Sequence, residues 1–488
     1  MKSTRLTASV LLVSLLVGCA ETHIYKKPDI PIPESYKEST DIWQPAKPAD
    51  QLPRGEWWKA YGDETLNDMI ARLDTANADL VVAMANFDQA TAYASQARAG
   101  YFPTVSAGAY NTRNRQSQTR ALRSATQPTV YGDNAIGLLT DYEVDLWGRV
   151  RNLVYAGEAG AQAAADDLQS VHLSLRAELV DDYFTLRMLD AQSKLLTDEV
   201  DAYTKALELA QNRFEGGINS ALDMTRAKVQ LDTAKTKFTD TTASRKLYEH
   251  AIATLVGEPA SSFSIALAVV DIRLPAVPVG VPATLLQRRP DISASERRLF
   301  AANANIGVAK SAFFPRITLA AATGYESANQ AAWLTEPNLF WSIGPTALLT
   351  IFDAGRREAV IAQAEAAYKV AGAQYRATVL HAFQEVEDNL ALLNELTEES
   401  ATLNDAVDYT RRTLDISMNR YREGAASYLE VVTAQASAQQ VQLDELNVRR
   451  RRLQASVNLI RALGGGFDSA PGNDAIKSHS SDGVAVSK

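Results

Sequence analysis

One cysteine, Cys19, is all the thiol chemistry in this 488-residue chain. No disulfide can form within it, and no thiolate metal cluster can be built. Histidine is scarce and scattered: none of His23, His172, His250, His381 and His479 forms a zinc spacing with another histidine or with the cysteine. Basic residues are outnumbered, 49 against 58 acidic ones, for a formal charge of −9. That balance excludes a broad basic surface for nucleic acid. No segment carries 18 consecutive apolar residues, so no transmembrane helix is expected, and a crossing of a bilayer would need a closed β-barrel. No Ser/His/Asp or Cys/His set presents itself, so an enzyme is not expected. Proline is absent between Pro128 and Pro259 and again between Pro345 and Pro471. Those gaps are filled with Ala, Leu, Gln, Glu and Arg, good helix formers.

The N-terminus reads as a targeting segment. Lys2 and Arg5 supply a positive start, and residues 6–17 an apolar stretch of signal-peptide length. It ends Leu16-Val17-Gly18-Cys19, which resembles a bacterial lipobox. Residues 1–18 are then a lipoprotein signal peptide and Cys19 carries a covalent lipid, the one attached group expected; no other cofactor is. Ala20 in place of aspartate implies, for bacterial lipoproteins, onward export to the outer membrane. Cleavage removes both positive charges and leaves 47 basic against 58 acidic residues, near −11. Residues 19–62, with several prolines and Trp43, Trp57 and Trp58, read as an extended arm. Asp63 is a candidate N-cap for the helix that follows.

The rest of the chain says everything twice. Tyr101-Phe102-Pro103 recurs as Phe313-Phe314-Pro315, Gly148-Arg149 as Gly355-Arg356, Asn212-Arg213-Phe214 as Asn419-Arg420-Tyr421, Leu222-Asp223 as Leu429-Glu430, and Gly257 as Gly464. From Gly148 onward the offset is a constant 207, and upstream it is 212. A constant offset over about a hundred residues marks a duplication, and the five-residue difference marks a hairpin-tip loop. The expected organisation is repeat 1 at 63–257, a proline-rich linker at 258–290, repeat 2 at 291–466, and a disordered tail at 467–488. Each repeat opens with a helical stretch, Thr65–Ala99 or Asp291–Ser311, passes through period-two alternation, and closes with very long helices. Leu189, Leu196, Tyr203 and Ala210 keep heptad spacing, as do Ser193, Val200, Leu207 and Phe214, the sign of helices sharing a seam. A single helix from Gly148 to Asn212 would be about 100 Å long.

The alternating segments lie at about 101–113 and 135–147 in repeat 1, and at about 313–325 and 340–352 in repeat 2. Leu138, Thr140, Tyr142, Val144 and Leu146 share one face, and Asp141, Glu143 and Asp145 the other. Ile343, Ala347, Leu349 and Ile351 oppose Ser342, Thr346 and Thr350. About ten residues with one apolar and one polar face suit a tilted strand with lipid on one side and water on the other, flanked by Trp147 and Trp341. They also suit a soluble sheet with one solvated face. Four strands cannot close a membrane barrel, which starts at about eight. On the membrane reading several chains must therefore share one barrel.

The lipobox, the tandem copies, Phe-Pro before each hairpin, Gly-Arg after it, and the "NRFEGG" and "NRYREG" breaks together resemble the TolC-like outer membrane factor family, in the lipoprotein branch of resistance-nodulation-division efflux systems. The resemblance reaches from the mature N-terminus to about Gly466. It implies a mainly α protein with a membrane β-barrel: a homotrimer with a twelve-strand barrel in the outer membrane and a periplasmic α-barrel of long helices. It implies a passive conduit for drugs or other small toxic compounds, partnered by a periplasmic adaptor and an inner-membrane proton-driven pump. By the same resemblance the helix breaks at 214–218 and 421–425 form the periplasmic tip. Tyr421 matches a gate tyrosine, Asp223 an acidic residue linked to it, and Glu430 an acidic ring on the axis. Leu429 and Thr433 belong to the same gate. Arg213, Phe214, Gly217, Arg420 and Gly424 form the turns where the adaptor docks. Ala426 and Thr433 depart from the pattern, standing where relatives carry an arginine and a second acid.

Taken without the family, Tyr421 and Phe214 would be seam core, and Asp223 and Glu430 carboxylates favoured at helix starts. The rival readings are a lipid-anchored periplasmic coiled-coil scaffold without a pore and an envelope hydrolase. His381 and Glu385 read as a surface pair rather than metal ligands. Arg449 to Arg452 read as a solvated or helix-pairing face, and Gly464-Gly465-Gly466 as a helix stop.

Overall fold

The computed structural model describes residues 25, 30–33, 35–38, 55–124, 126–218, 220–275, 288–329 and 333–465. Cys19, Ala20, Trp43, Gly466, the tail 467–488 and part of the 258–290 linker lie outside the described residues. The chain divides into two compact units. One comprises Asn86–Ala165 and Ala294–Tyr375 with the N-terminal residues, and the other Ile30–Ala85, Asp166–Ser293 and Arg376 onward.

Seven α-helices are described: α1 Glu64–Ala76, α2 Ala78–Ala99, α3 Arg149–Glu215, α4 Ala221–Leu255, α5 Pro290–Ser311, α6 Arg356–Arg422 and α7 Tyr428–Ala462. The two repeats give matching pairs, α3 and α6 of 67 residues, α4 and α7 of 35. Propensity and the absence of proline let such lengths form. None of the described helices is long and apolar enough to cross a membrane.

In the unit that holds the strands, β1 (Thr104–Arg115), β2 (Val130–Glu143), β3 (Arg316–Ser327) and β4 (Leu339–Leu348) form one antiparallel sheet in that order. The β1–β2 register sets Gly108 against Gly137 and Thr104 against Asp141, and the β2–β3 register sets Gly137 against Gly324. Because successive side chains alternate, Val105, Ala107, Ala109, Ile136, Leu138, Leu319, Trp341 and Ile343 share one face. Ser106, Asp133, Asp141, Glu143, Thr318, Glu326 and Thr346 share the other. β1 and β4 each keep one unpaired edge among the described residues. Strand β2 begins at Val130, earlier than the alternation suggests, and ends at Glu143, so Val144 to Trp147 lie beyond it. The reason is local. The Asp145 carboxylate accepts the Val150 and Arg151 N–H groups, each at 2.9 Å, and so is committed to the start of α3. Leu349 and Ile351 likewise fall past the end of β4.

The recurring Phe-Pro and Gly-Arg motifs meet beside the sheet. The Trp147 ring stacks on Phe314 at 4.8 Å, and its indole N–H donates to the Pro315 carbonyl at 2.7 Å. Arg149 holds Glu143 in a fork of two 2.7 Å bonds, with Arg316 at 2.9 Å from the same carboxylate. The Phe-Pro of repeat 2 and the Gly-Arg of repeat 1 therefore sit at one packing and ion-pair joint between repeats.

The other unit has its own core. Leu66, Met69, Ile70 and Leu73 make a helical stripe on α1 and bury against Leu179, Val180, Tyr183 and Phe184 of α3 and Ile252 of α4. Each such side chain contributes about 1.5–3 kcal/mol of burial. Asp63 caps α1 by accepting the Thr65 and Leu66 N–H groups at 2.9 and 3.2 Å. The helical stretch 65–99 is not continuous. Asn77 has extended backbone, caps α2 through Leu80 N–H at 2.9 Å, and donates to the Leu255 carbonyl at 2.9 Å. Its counterpart in repeat 2, Arg289, donates to the Ala462 carbonyl at 2.9 Å and pairs with Asp291 and Glu385 at 2.7 and 2.6 Å. Duplication is thus visible in hydrogen bonds as well as in sequence. Gly257 and Gly464, with φ of 75° and 87°, complete the symmetry. A Cβ on Gly464 would stand 2.9 Å from the Arg288 carbonyl oxygen, and one on Gly257 would overlap that of Ala76.

Asp190, fully buried, accepts from Arg187 at 2.9 Å, Arg245 at 2.6 Å and the Ala268 N–H at 3.2 Å. The two arginines also reach the carbonyls of Ala266 and Ile265 at 2.8 and 2.6 Å. This network pins the extended segment after α4 to the helices, and it leaves the charges paired, as burial requires. Glu387 does similar work for the N-terminal arm, accepting Lys37 and Glu38 N–H groups at 2.8 and 3.0 Å.

Candidate functional site

The candidate residues gather where α3 turns into α4 and α6 into α7. Both turns have the same backbone. The N–H of Ile218 reaches the Arg213 carbonyl at 2.8 Å and that of Gly217 reaches Phe214 at 3.0 Å; Ala425 and Gly424 repeat this toward Arg420 and Tyr421 at 2.8 and 3.0 Å. These are paired closures of a Schellman motif, which needs a left-handed residue. Gly217 and Gly424 supply it, with φ of 72° and 80°. Ser220 and Ser427 then open the next helices from extended backbone. Asp223 and Glu430 fall at the third position of those helices, where a carboxylate meets the positive end of the dipole. Glu430 accepts the Ser427 N–H at 3.4 Å.

Between the turns lies a small aromatic core. Tyr421 and Tyr428 are both 2% exposed, their rings 5.2 Å apart and tilted by 58°. Ala210 and Ala227 from repeat 1 and Val431 from repeat 2 close around them. Burial, then Tyr421, then the Asp223 carboxylate push the Tyr428 hydroxyl up to about 12. Asp223 itself faces Arg226 one turn on, at 3.9 Å.

Arg213 ties the two repeats together. Its guanidinium donates to the carbonyls of Tyr421 and Arg422 at 2.8 and 2.9 Å and sits 4.7 Å over the Tyr421 ring. The last carbonyls of α6, which have no partner within the helix, are met by a cation from repeat 1. Arg420 turns back on its own repeat, reaching the Ala425 carbonyl at 3.2 Å and Glu430 at 3.4 Å. Phe214 and Leu429 are exposed, and the Thr433 hydroxyl is spent on the Leu429 carbonyl at 2.9 Å.

So the fold brings Arg213, Tyr421 and Gly424 into one cluster, sets Glu430 against Arg420, and leaves Phe214, Leu429 and Thr433 on the surface. Sequence reasoning missed Tyr428 and the Arg213 bridge. The one available signal was Tyr428 directly after the serine cap, next to an already suspect glycine turn. The Asp190 network was also missed, although Arg187 and Asp190 stand three apart inside an apolar run.

The residues set aside by sequence have structural partners. Glu385 pairs with Arg289 and, at 3.9 Å, with Arg461. Arg449 pairs with Asp271, Arg451 with Glu399 at 3.4 Å, and Arg452 donates to Ser400 at 3.1 Å. No group of three or more metal-ligating side chains exists among the described residues.

Comparison with known proteins places this architecture. The profile of the outer membrane efflux protein family matches residues 70–258 and 281–465. The chain is 30% identical over 467 residues to the toluene efflux pump outer membrane protein TtgF of Pseudomonas putida, covering 94% of this chain and 97% of that one. It is 30% identical over 466 residues to the antibiotic efflux pump outer membrane protein ArpC of the same species, covering 93% and 94%. Among solved structures it is similar to the outer membrane protein VceC of Vibrio cholerae, with a TM-score of 0.80 and 29% identity over 86% of this chain and all of the other.

Proposed function

Because the chain belongs to the outer membrane efflux protein family, and is an outer-membrane efflux component, we propose that three copies join their sheets edge to edge into one twelve-strand barrel. The observation that carries this is the sheet itself: one face apolar, one polar, and both edges unpaired among the described residues. Open edges are not tolerated in lipid, and four strands are about half of the smallest membrane barrel. Three copies give twelve strands, within the range of known barrels.

On this reading the long helices continue the channel into the periplasm, and the protein is a passive path whose energy comes from an inner-membrane pump through a periplasmic adaptor. Cys19 bears the lipid that anchors each copy, adding membrane affinity through buried CH₂ groups. The turns form the inner mouth. Tyr421, Asp223, Glu430, Leu429 and Thr433 close it. The exposed rim, with Arg213, Phe214, Gly217, Arg420 and Gly424, is where the adaptor docks. The substrates are small toxic compounds, a class suggested by relatives named for toluene and for antibiotics.

Deleting the gene and measuring susceptibility across a panel of antibiotics and solvents tests the reading. Increased killing by several unrelated compounds, restored by the intact gene, is the expected result. A deletion strain as resistant as its parent to every compound, or a protein that extracts from outer membrane only as a monomer, would overturn it.

A further inference from the structure

The hairpin joining β1 to β2 has a charge pattern unlike the rest of this acidic chain. Between Asp88 and Asp133 there is no acidic residue, and the hairpin carries Arg113, Arg115, Arg120 and Arg123. The matching hairpin between β3 and β4 has the opposite character, with Glu336 and no lysine or arginine from 328 to 338.

Position separates these arginines by role. Arg123 is held inside the hairpin, donating to the Gln127 carbonyl at 3.0 Å and the Thr129 hydroxyl at 2.8 Å. Arg113 and Arg115 are exposed and make no ion pair among the described residues. By alternation they share the face of Val105, Ala107 and Ala109, the apolar face of the sheet. Their cross-strand neighbours are Gly132 and Val130, which offer no charge. The carboxylates of Asp133, Asp141, Glu143 and Glu326 lie on the opposite face, so the sheet itself stands between them and the two arginines. From Thr104 to Arg113 the strand climbs roughly 22 Å along the membrane normal at the usual rise and tilt. That is about the height of the apolar band of an outer-membrane barrel, so the arginines emerge at its rim. Deep in hydrocarbon they would be costly; at the headgroup layer they meet anions.

We propose that Arg113 and Arg115, at the lipid-facing rim of each copy, bind the phosphate groups of the outer-leaflet glycolipid. The proposal rests on the barrel reading above, which puts the hairpin tips outside the cell because each hairpin leaves and re-enters the helices at its other end. The site would collar the channel with six arginines in three copies. Pairing with the acidic hairpin of a neighbouring copy would not use them up, since that hairpin offers a single carboxylate, Glu336, against Arg113, Arg115 and Arg120.

The test uses the full-length chain purified in detergent, titrated with lipopolysaccharide and with the same glycolipid after its phosphates have been removed. Wild type is expected to prefer the phosphorylated form by roughly thirtyfold, the combined effect of two arginines at an anionic surface. Arg113→Gln with Arg115→Gln should abolish the preference, and Arg113→Lys with Arg115→Lys should retain most of it. Equal binding of the two glycolipids by wild type overturns the proposal without recourse to any variant. So does a Glu336→Gln variant that lowers trimer stability as much as the double arginine variant does, for then the arginines serve contacts between copies. A chain that never forms trimers would instead refute the barrel reading.

Discussion

Removing the Arg213 side chain is the most direct test of how the two repeats are held at their turns. Arg213→Ala deletes two hydrogen bonds from a cation to the Tyr421 and Arg422 carbonyls, at 2.8 and 2.9 Å, and a guanidinium 4.7 Å over the Tyr421 ring. Hydrogen bonds from a charged donor contribute about 1.5–3 kcal/mol when buried; half-exposed, as here, about 1 kcal/mol each is the fair value. The ring contact adds about 0.5–1 kcal/mol. The sum, about 2.5–3 kcal/mol, belongs to the arrangement in which α3 and α6 end side by side. If that arrangement is the closed mouth, its loss shifts the closed-to-open ratio roughly 60- to 150-fold, at about 1.4 kcal/mol per factor of ten. Conductance of the reconstituted trimer in planar bilayers reads this directly: long-lived open events, rare in wild type, should dominate in the variant. Arg213→Lys should fall between, because a lysine reaches one carbonyl as a point donor but cannot fork across two. Normal trimer assembly with an open fraction equal to wild type would refute the reasoning, since the bonds would then exist equally in both states.

Glu430→Ala and Tyr421→Ala should also raise conductance, and unchanged conductance in both would remove these residues from the gate. Asp190→Ala leaves Arg187 and Arg245 buried without their shared carboxylate; a loss of about 3–5 kcal/mol in unfolding free energy, or failure to assemble, is expected. A variant melting like wild type would show the network to be dispensable. Burial, followed for Asp182 by the neighbouring Glu178 and Asp181, raises both Asp181 and Asp182 to about 6. A carboxyl with a raised folded pKa binds its proton more tightly in the native state, so stability falls as pH rises from about 4 to about 6 and stays lower above. Asp181→Asn with Asp182→Asn should therefore melt higher than wild type at pH 7.5 and lose that advantage near pH 4; an equal difference at both pH values would contradict it.

Much of this was readable from residues because the duplication repeats each physical signal. Heptad spacing placed two sets of residues on a seam: Leu196, Tyr203, Ala210 and Ser193 are buried, Leu189, Val200 and Leu207 half-buried, and Phe214, at the turn, is exposed. The glycines of the two turns and the Asp63 cap follow from backbone geometry that few other residues satisfy. What escaped was long-range. Asn77 looks like an ordinary helix residue until its amide is seen reaching Leu255, 178 positions away. Phe314 and Trp147 are flanking aromatics in the sequence, and only the fold stacks them. Arg213 could be marked as a turn residue, but not as one whose partners lie 208 and 209 positions on.

The turns also show where two copies of one design have parted. Their backbones are the same to the hydrogen bond, yet Phe214 is 40% exposed where its counterpart Tyr421 is 2% exposed. Arg213 crosses to the other repeat, whereas Arg420 folds back onto Ala425 and Glu430. One aromatic pair and one cationic bridge therefore serve both turns, and repeat 2 supplies the rings while repeat 1 supplies the bridge. A surface ion pair such as Arg420–Glu430 contributes little by itself, so Arg420 is held only weakly in its present place. If three copies stand in a ring, repeat 2 of each chain faces repeat 1 of the next, and Arg420 occupies there the position that Arg213 occupies within the chain. Three joints of such a ring are then fastened by the Arg213 bridge and three are loosely held. An opening that begins at the joints between copies, and is completed only when the Arg213 joint inside each copy releases, is what this asymmetry dictates.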